Sequence, residues 1–452
     1  MFFSCSLLMT TIKKDISILA NKNSRSIGIL LFIMIASYFS PSESASFTQL
    51  FKIGSRLIAL VWCFLLYHSN CKKGMIASFV YKNNMALWLY IAYLLLAFAS
   101  FLWITEGPER SAKVAYSVLQ WNMTLQSFLF VYFFAKLYLQ HNYFFSDYPV
   151  NLIRLLAEVI TLIALILLIG SLIAPDIFYR SMRGGSEIRL GGYLMNPNEL
   201  GMLNSMGAGL ALLLLFKENK KWKAGVMFAI SLLSLVLTSS RSSVIAFLLI
   251  AMLILQKKAG LQLKIVAFGL IGVAIPFILQ YVIFKAGNVE EVLSMTGRIP
   301  FWTALLDEGI VKEPFLGYGF HRIAYTNRFE SLTAYPGHMT HNTFLQVLMN
   351  LGFIGFLITL FQIIFLVRGV IKSKDKEKKE IFLAMSIPLF INSITEFGIF
   401  GQTNYSIFFY QFLIFLVVLK YNPAFNPQEK IAVKIFYQNL NHKTSAPKPT
   451  TH

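Results

Sequence analysis

Apolar residues recur along this chain in long unbroken runs separated by short polar breaks. The runs cover residues 26–40, 54–68, 86–104, 118–140, 152–173, 200–216, 222–239, 242–256, 264–284, 343–367, 381–399 and 405–420. A helix that is apolar on every side cannot keep one face in water, so each run reads as a segment in hydrocarbon. Several lie near the short end of the ~17–25 residues that a crossing requires. The pattern predicts an all-α, polytopic integral membrane protein with about twelve transmembrane helices.

Two breaks are longer than the others. Residues 174–199 are polar and Gly-rich, and 285–342 form a large external loop between the ninth and tenth helices. Within that loop TGRIPFWTALLDEGI has an amphipathic look and KEPFLGYGFHR reads as a turn-rich link. The expected organisation is a cytoplasmic segment at 1–25, helices one to nine at 26–284, the large loop at 285–342 and helices ten to twelve at 343–420. A cytoplasmic tail follows at 421–452, its end NHKTSAPKPTTH having the composition of a disordered segment. The opening MFFSCSLLM is followed by TTIKKD rather than by a small-residue cleavage site, so it does not read as a signal peptide.

Composition agrees with the pattern. The chain is 56% hydrophobic and only 13% charged over 452 residues, too few charges to cover a water-soluble surface of that size. Cys5, Cys63 and Cys71 show no spacing of a disulfide framework or a metal site.

The net charge of +19 would suit nucleic acid, but its distribution argues against that partner. With a cytoplasmic N-terminus and alternating spans, 24 of the 28 lysines fall on the cytoplasmic side, in clusters such as KENKKWK and KSKDKEKKE. That is the bias that orients membrane proteins beside anionic lipid. Arginine runs the other way: nine of twelve lie outside, at positions 56, 110, 180, 183, 189, 241, 298, 322 and 328. A guanidinium is a permanently charged fork that matches phosphate and carboxylate, so an arginine-rich outer face suggests anion binding there.

Candidate chemistry gathers on the same side. His341 and Asn342 open the tenth helix, and a neutral imidazole is able to accept a proton near neutral pH. His338 stands three residues earlier, but no further ligand has metal spacing, so no metal and no cofactor are expected. On a regular helix Gly352 returns to about the face of His341 after eleven residues, with Gly355 a little to the other side. Missing side chains there would admit a neighbouring helix or leave a groove for a lipid chain, unless they are ordinary glycine packing. Arg241 sits in the tight turn LTSSRSSV and Arg298 in TGRIPFW. The turn MNPNELG, which includes Asn198, is suited to capping the sixth helix. Glu396, near the outer end of the eleventh run, needs a partner, and one of the arginines is the obvious one.

LTSSRSS, TGRIPFWTALLDEGIVKEPFLGYGF and HNTFLQVLMNLGFIGF, in this order around a large external loop, resemble the bacterial O-antigen ligase/polymerase superfamily. The last stretch fits the ligase pattern His-[Asn/Ser/Gln]-x9-Gly-x-x-Gly at His341, Asn342, Gly352 and Gly355. RLGGYLMNPNELG is similar to the family's external segment before the sixth span. The likeness covers residues 180 to 360, and the first 150 residues match only in hydropathy. It implies a GT-C-like architecture in the bacterial inner membrane with its active site on the periplasmic face. The implied activity is that of an inverting, metal-independent glycosyltransferase with an undecaprenyl-diphosphate-linked glycan as donor. By motif, Arg241 and Arg298 would hold the diphosphate, and His341 would act as base on the acceptor hydroxyl or orient it. Arg189, Asn198, Arg322, His338, Asn342 and Glu396 would contact diphosphate or glycan.

The acceptor divides this reading, and a third branch of the family, beside the two that follow, glycosylates protein. A ligase transfers to lipid A-core, and a polymerase transfers to a second lipid-linked glycan; the histidine pattern leans toward the ligase. A transporter or flippase of lipid-linked glycans is the alternative from another class. It predicts ionisable residues at mid-membrane, broken helices and internal symmetry, whereas the charges here cluster at one face.

Overall fold

Each of the twelve apolar runs meets a helix in the computed structural model, which describes residues 2–82, 84–104, 110–182, 187–219, 221–277, 298–321, 323, 340–396 and 398–421. We number the long helices α1 (Phe2–Ala36), α2 (Ala45–Lys72), α3 (Met85–Ala99), α4 (Arg110–Phe144), α5 (Leu152–Ile173) and α6 (Pro197–Lys217). They continue as α7 (Lys221–Leu237), α8 (Arg241–Lys258), α9 (Leu261–Phe277), α10 (Thr343–Lys372), α11 (Lys376–Thr395) and α12 (Tyr405–Val418). Among the described residues six helices are long and apolar enough to cross a membrane: α2, α5, α6, α10, the part of α1 from Ile16 and α3 extended to Leu102. This is a multi-pass membrane protein. The segment expected to be cytoplasmic at 1–25 is helical from Phe2, continuous with the first span. The end of the ninth run at 278–284, residues 285–297 and 324–339 of the large loop expected at 285–342, residues 422–452 of the tail expected at 421–452, and the candidate residues Arg322 and His338 lie outside the described residues.

The fold is not purely helical. Strands β1 (Phe79–Tyr81) and β4 (Leu419–Tyr421) pair antiparallel, and so do β2 (Tyr179–Met182) and β3 (Glu187–Leu190). The second pair makes a hairpin of the break between α5 and α6. It sets Arg180 directly opposite Arg189. Like charges facing across a ladder repel, so an arginine in that position gains from a partner elsewhere.

Helix α6 is the central element and packs on α5, α7, α8 and α11. Small residues permit this: a Cβ at Gly201 would stand 2.7 Å from Ser240 Cβ and 2.8 Å from Ser243 Oγ, so the start of α6 and the start of α8 nearly touch. Alternation of the helices sorts the polar residues into two belts. At one end Lys217 and Lys258 pair with Glu380, and Arg154 pairs with Glu218 at 2.7 Å. At the other end lie the start of α6, the end of α7, the start of α10 and the end of α11.

The strap over α10 differs from the expectation of a straight helix with a bare face. Gly352 adopts φ +61° and ψ −164°, which breaks the helix, so Gly355 no longer projects beside His341. The neighbour at this point is the loop 314–319 rather than another helix. Phe353 N donates to Pro314 O at 2.8 Å, Tyr318 N to Met349 O at 2.9 Å and Gly319 N to Asn350 O at 2.8 Å. A Cβ on Gly352 would stand 2.2 Å from both the carbonyl carbon and the oxygen of Phe315. Ala at this position meets a backbone and a positive φ together, so Gly352→Ala is expected to cost about 3 kcal/mol or more. Thermal unfolding of the detergent-solubilised protein measures this, with Gly54→Ala, where nothing lies within 4 Å, as the near-neutral control.

A small external core continues from the strap. Phe301, Leu305, Tyr318, Ile323, Leu345 and Met349 pack together, with Tyr318 OH donating to Gly309 O at 2.9 Å. It seats the short helix Arg298–Ala304 and the wide turn after it against the first turns of α10.

Candidate active site

His341 stands where the external segment turns into α10, and its position is fixed from both sides. Asn342 is the N-cap: its side-chain oxygen accepts from Phe344 N at 3.0 Å and Leu345 N at 3.1 Å. On the other side Trp302 Nε1 donates to Thr340 O at 2.6 Å, and Thr340 Oγ1 donates to Asn342 O at 2.7 Å. Between these anchors His341 takes φ +47°, a left-handed conformation uncommon for a side-chain-bearing residue. The strain aims the imidazole at the end of α11.

There it meets Glu396. Helix α11 ends at Thr395, and Glu396 follows in an extended conformation with its own N–H bonded to Asn392 O. The carboxylate is nearly closed off from solvent, 8% exposed, and it has three partners. Its Oε2 lies 2.8 Å from His341 Nδ1. Its Oε1 accepts from Arg298 Nη2 at 2.9 Å and from Asn198 Nδ2 at 2.8 Å. Arg298 also donates through Nη1 to Thr395 O, while its Nε is buried without a hydrogen-bond partner among the described residues.

Asn198 passes the connection onward. Asn196 caps α6 by accepting from Asn198 N at 2.9 Å, with Pro197 in the first turn, so MNPNELG opens the helix. The Asn198 side chain uses both ends: the amide donates to Glu396 and the oxygen accepts from Arg189 Nη2. Arg189 completes the chain with Nε donating to Thr238 O at 2.8 Å. Arg189, opposite Arg180 on the hairpin, thus has its partner at the mouth of α6.

Five sequence candidates, Arg189, Asn198, Arg298, His341 and Glu396, form one hydrogen-bonded set drawn from β3, α6, the external helix, the start of α10 and the end of α11. Asn342 caps the helix beneath it with its oxygen. Arg241 is half-buried at the first position of α8, three residues from the Thr238 carbonyl that holds Arg189. A cation at a helix N-terminus opposes the helix dipole, a position that favours a nearby anion. Arg322 and His338 lie outside the described residues. The backbone acceptors Thr238 and Thr395, and Trp302 behind Thr340, were not singled out from the sequence. Carbonyl acceptors carry no residue signal, whereas Trp302 in RIPFW was open to notice as an amphipathic aromatic beside a candidate arginine.

Charge balance in the set is explicit. Burial raises the affinity of the Glu396 carboxyl for its proton, but the hydrogen bond from His341 and the charge of Arg298 outweigh it. The group stays below the usual carboxylate range and is ionised near neutral pH. An ionised Glu396 accepting from Nδ1–H selects the imidazole tautomer in which Nε2 is the basic nitrogen.

A comparison with curated proteins returns no match. Residues 226–360, from the first turns of α7 to the middle of α10, match the family model described as O-antigen ligase, and the likeness of this chain to the O-antigen ligase-like superfamily rests on that match together with its helical, multi-pass fold.

Proposed function

We propose that this protein is an inverting glycosyltransferase of O-antigen ligase type. It would move a glycan from an undecaprenyl-diphosphate carrier to an acceptor hydroxyl, with lipid A-core as the acceptor. The helices form a multi-pass bundle in the inner membrane, and the His341 end faces the periplasm, in keeping with the lysine bias toward the opposite side.

The observation that carries this reading is the bond between His341 Nδ1 and Glu396 Oε2, with Arg298 on the same carboxylate. Transfer with inversion needs one base and one stabiliser of a leaving diphosphate. His341 Nε2 takes the proton of the acceptor hydroxyl as its oxygen bonds to the anomeric carbon. The bond from that carbon to the phosphate oxygen breaks on the opposite face, and the electron pair leaves with the diphosphate. Arg298 and Arg241 face the growing negative charge and stabilise it. Glu396, Asn198 and Arg189 position His341 and Arg298 rather than touch the reacting atoms.

The test is a reconstituted assay with purified protein, the lipid-linked glycan and either lipid A-core or no added acceptor. Transfer to lipid A-core supports the ligase. Longer lipid-linked chains without it identify a polymerase of the same superfamily, and movement of the glycan across vesicles without transfer sinks the enzyme reading in favour of a transporter. In the same assay Arg298→Ala is expected to lower kcat by about 10²–10³-fold, the usual cost of removing one donor to a developing anion.

A further inference from the structure

A second polar cavity of about 210 Å³ opens at the same end of the molecule, between Tyr38 just past α1, α2, α4, the start of α6 and the link 402–404. Lys52, Arg56, Gln49, Gln120, Glu199 and Thr403 line it, and none of the residues in the His341–Glu396 set does. It adjoins that set through two residues. Glu199 directly follows Asn198, and Gln402 also lines a narrower cavity shared with Thr340 and Asn342.

The cavity is built around fixed cations. Arg56 is 1% exposed and is held in place by three neighbours. Its Nε donates to Ser37 Oγ at 3.3 Å, its Nη1 donates to Thr403 Oγ1 at 3.2 Å, and the guanidinium lies 3.9 Å over the ring of Tyr38. Lys52, one helical turn away on α2, donates to Ser40 Oγ at 3.0 Å. Among the described residues neither cation has a carboxylate oxygen within ion-pair distance, and Glu199, which lines the same cavity, acts on both through its charge alone. Gln49 Oε1 is buried with no partner among them. Two cations against one carboxylate leave an excess positive charge around the cavity, an arrangement that favours an anion entering it. Neutral amides beside the cations suit sugar hydroxyls next to that anion.

We infer that this cavity holds a phosphate group of the acceptor substrate, while the His341 end serves the donor diphosphate. The inference rests on the proposed transfer reaction, in which two anionic glycolipids meet. The phosphate belongs to lipid A-core in the ligase case and to a second lipid diphosphate in the polymerase case. Glu199 sets the charge limit of the site, because it repels the anion that Lys52 and Arg56 attract.

The experiment measures binding without turnover, using the full chain in nanodiscs. The probes are phosphorylated lipid A-core, the same glycolipid after phosphatase treatment, and undecaprenyl-diphosphate-linked glycan with its bound equivalents counted. Lys52→Met is expected to weaken binding of phosphorylated lipid A-core about tenfold, the value of one charge-assisted hydrogen bond. Lys52→Arg restores most of that loss, and Glu199→Gln tightens binding several-fold, which a merely damaged fold cannot do. The phosphatase-treated glycolipid is indifferent to all three variants. If the second bound equivalent of lipid-linked glycan is lost instead, the acceptor phosphate is that of a lipid diphosphate and the cavity keeps its role. Equal losses with and without the phosphate, no loss with any probe, or loss of the equivalent that Arg298→Ala also removes would overturn the inference. Transfer activity is read separately, so a failed cavity and a failed transfer reaction give different results.

Discussion

Replacing His341 with alanine is expected to lower kcat for glycan transfer by about 10²–10⁴-fold, the contribution of a positioned general base, while the protein still folds. The fold survives because the imidazole is 30% exposed and forms no part of the packed interior. Helix α10 keeps its cap, since Asn342 makes both capping bonds. Glu396 keeps Arg298 and Asn198 as partners. If the arginines hold the diphosphate as proposed, KM for the lipid-linked donor should move by no more than about threefold, and the loss falls on kcat, the signature of an interaction made in the transition state. His341→Gln separates the two roles the sequence leaves open. A residue that only orients the hydroxyl is partly replaced by an amide, whereas a base is not, so the glutamine variant should be as inactive as alanine. Activity within about fivefold of wild type for either variant would remove His341 from the chemistry, because a positioned base contributes far more than that.

The positions of the helices were legible because hydrocarbon demands apolar runs, and each run overlaps a helix among the described residues. Their ends were less so. The eleventh run extends to 399 but α11 stops at Thr395, where Glu396 leaves the helix to meet Arg298 and His341. That a lone carboxylate at such a place needed an arginine was readable from the cost of an unpaired charge; which arginine was not, since 98 residues separate the pair. The hairpin at 179–190 escaped notice because four-residue strands give too short an alternation to register. Pairing of β1 with β4 joins segments more than 300 residues apart, which no local pattern encodes. Gly352 was visible as a missing side chain, but a positive φ has no periodicity, so the break and the strap of 314–319 appear only in three dimensions. Lys52 and Arg56 are four residues apart and share a helix face, yet the cavity they line also requires Glu199 and the link at 402–404.

Glu396→Gln should be the most damaging single change in the site, because an amide of the same shape cannot satisfy its three partners. Oε1 accepts from both Arg298 and Asn198, and Oε2 faces His341 Nδ1. If the amide oxygen takes the Oε1 place, the NH₂ points at Nδ1 and forces the proton onto Nε2, so the base is lost. If the NH₂ takes the Oε1 place, it faces two donors and leaves Arg298, 17% exposed, without its counter-charge. Breaking a buried pair in this way costs about 3–5 kcal/mol, so the thermal unfolding midpoint should fall as well as the turnover. Transfer should drop to the His341→Ala level or below it, and the double variant should be no worse than Glu396→Gln alone, because the carboxylate serves both the imidazole and Arg298. The pH dependence gives a further check. The native carboxyl binds its proton less readily than an unfolded one, so its stabilisation is complete above the usual carboxylate range and is lost as pH falls through its lower folded value. The gap in stability between wild type and Glu396→Gln should therefore be widest near neutral pH and close on acidification. A gap that stays constant down into the acid range would mean that the charge of Glu396 does not hold this end of the bundle together, and that Arg298 and His341 are positioned by other contacts.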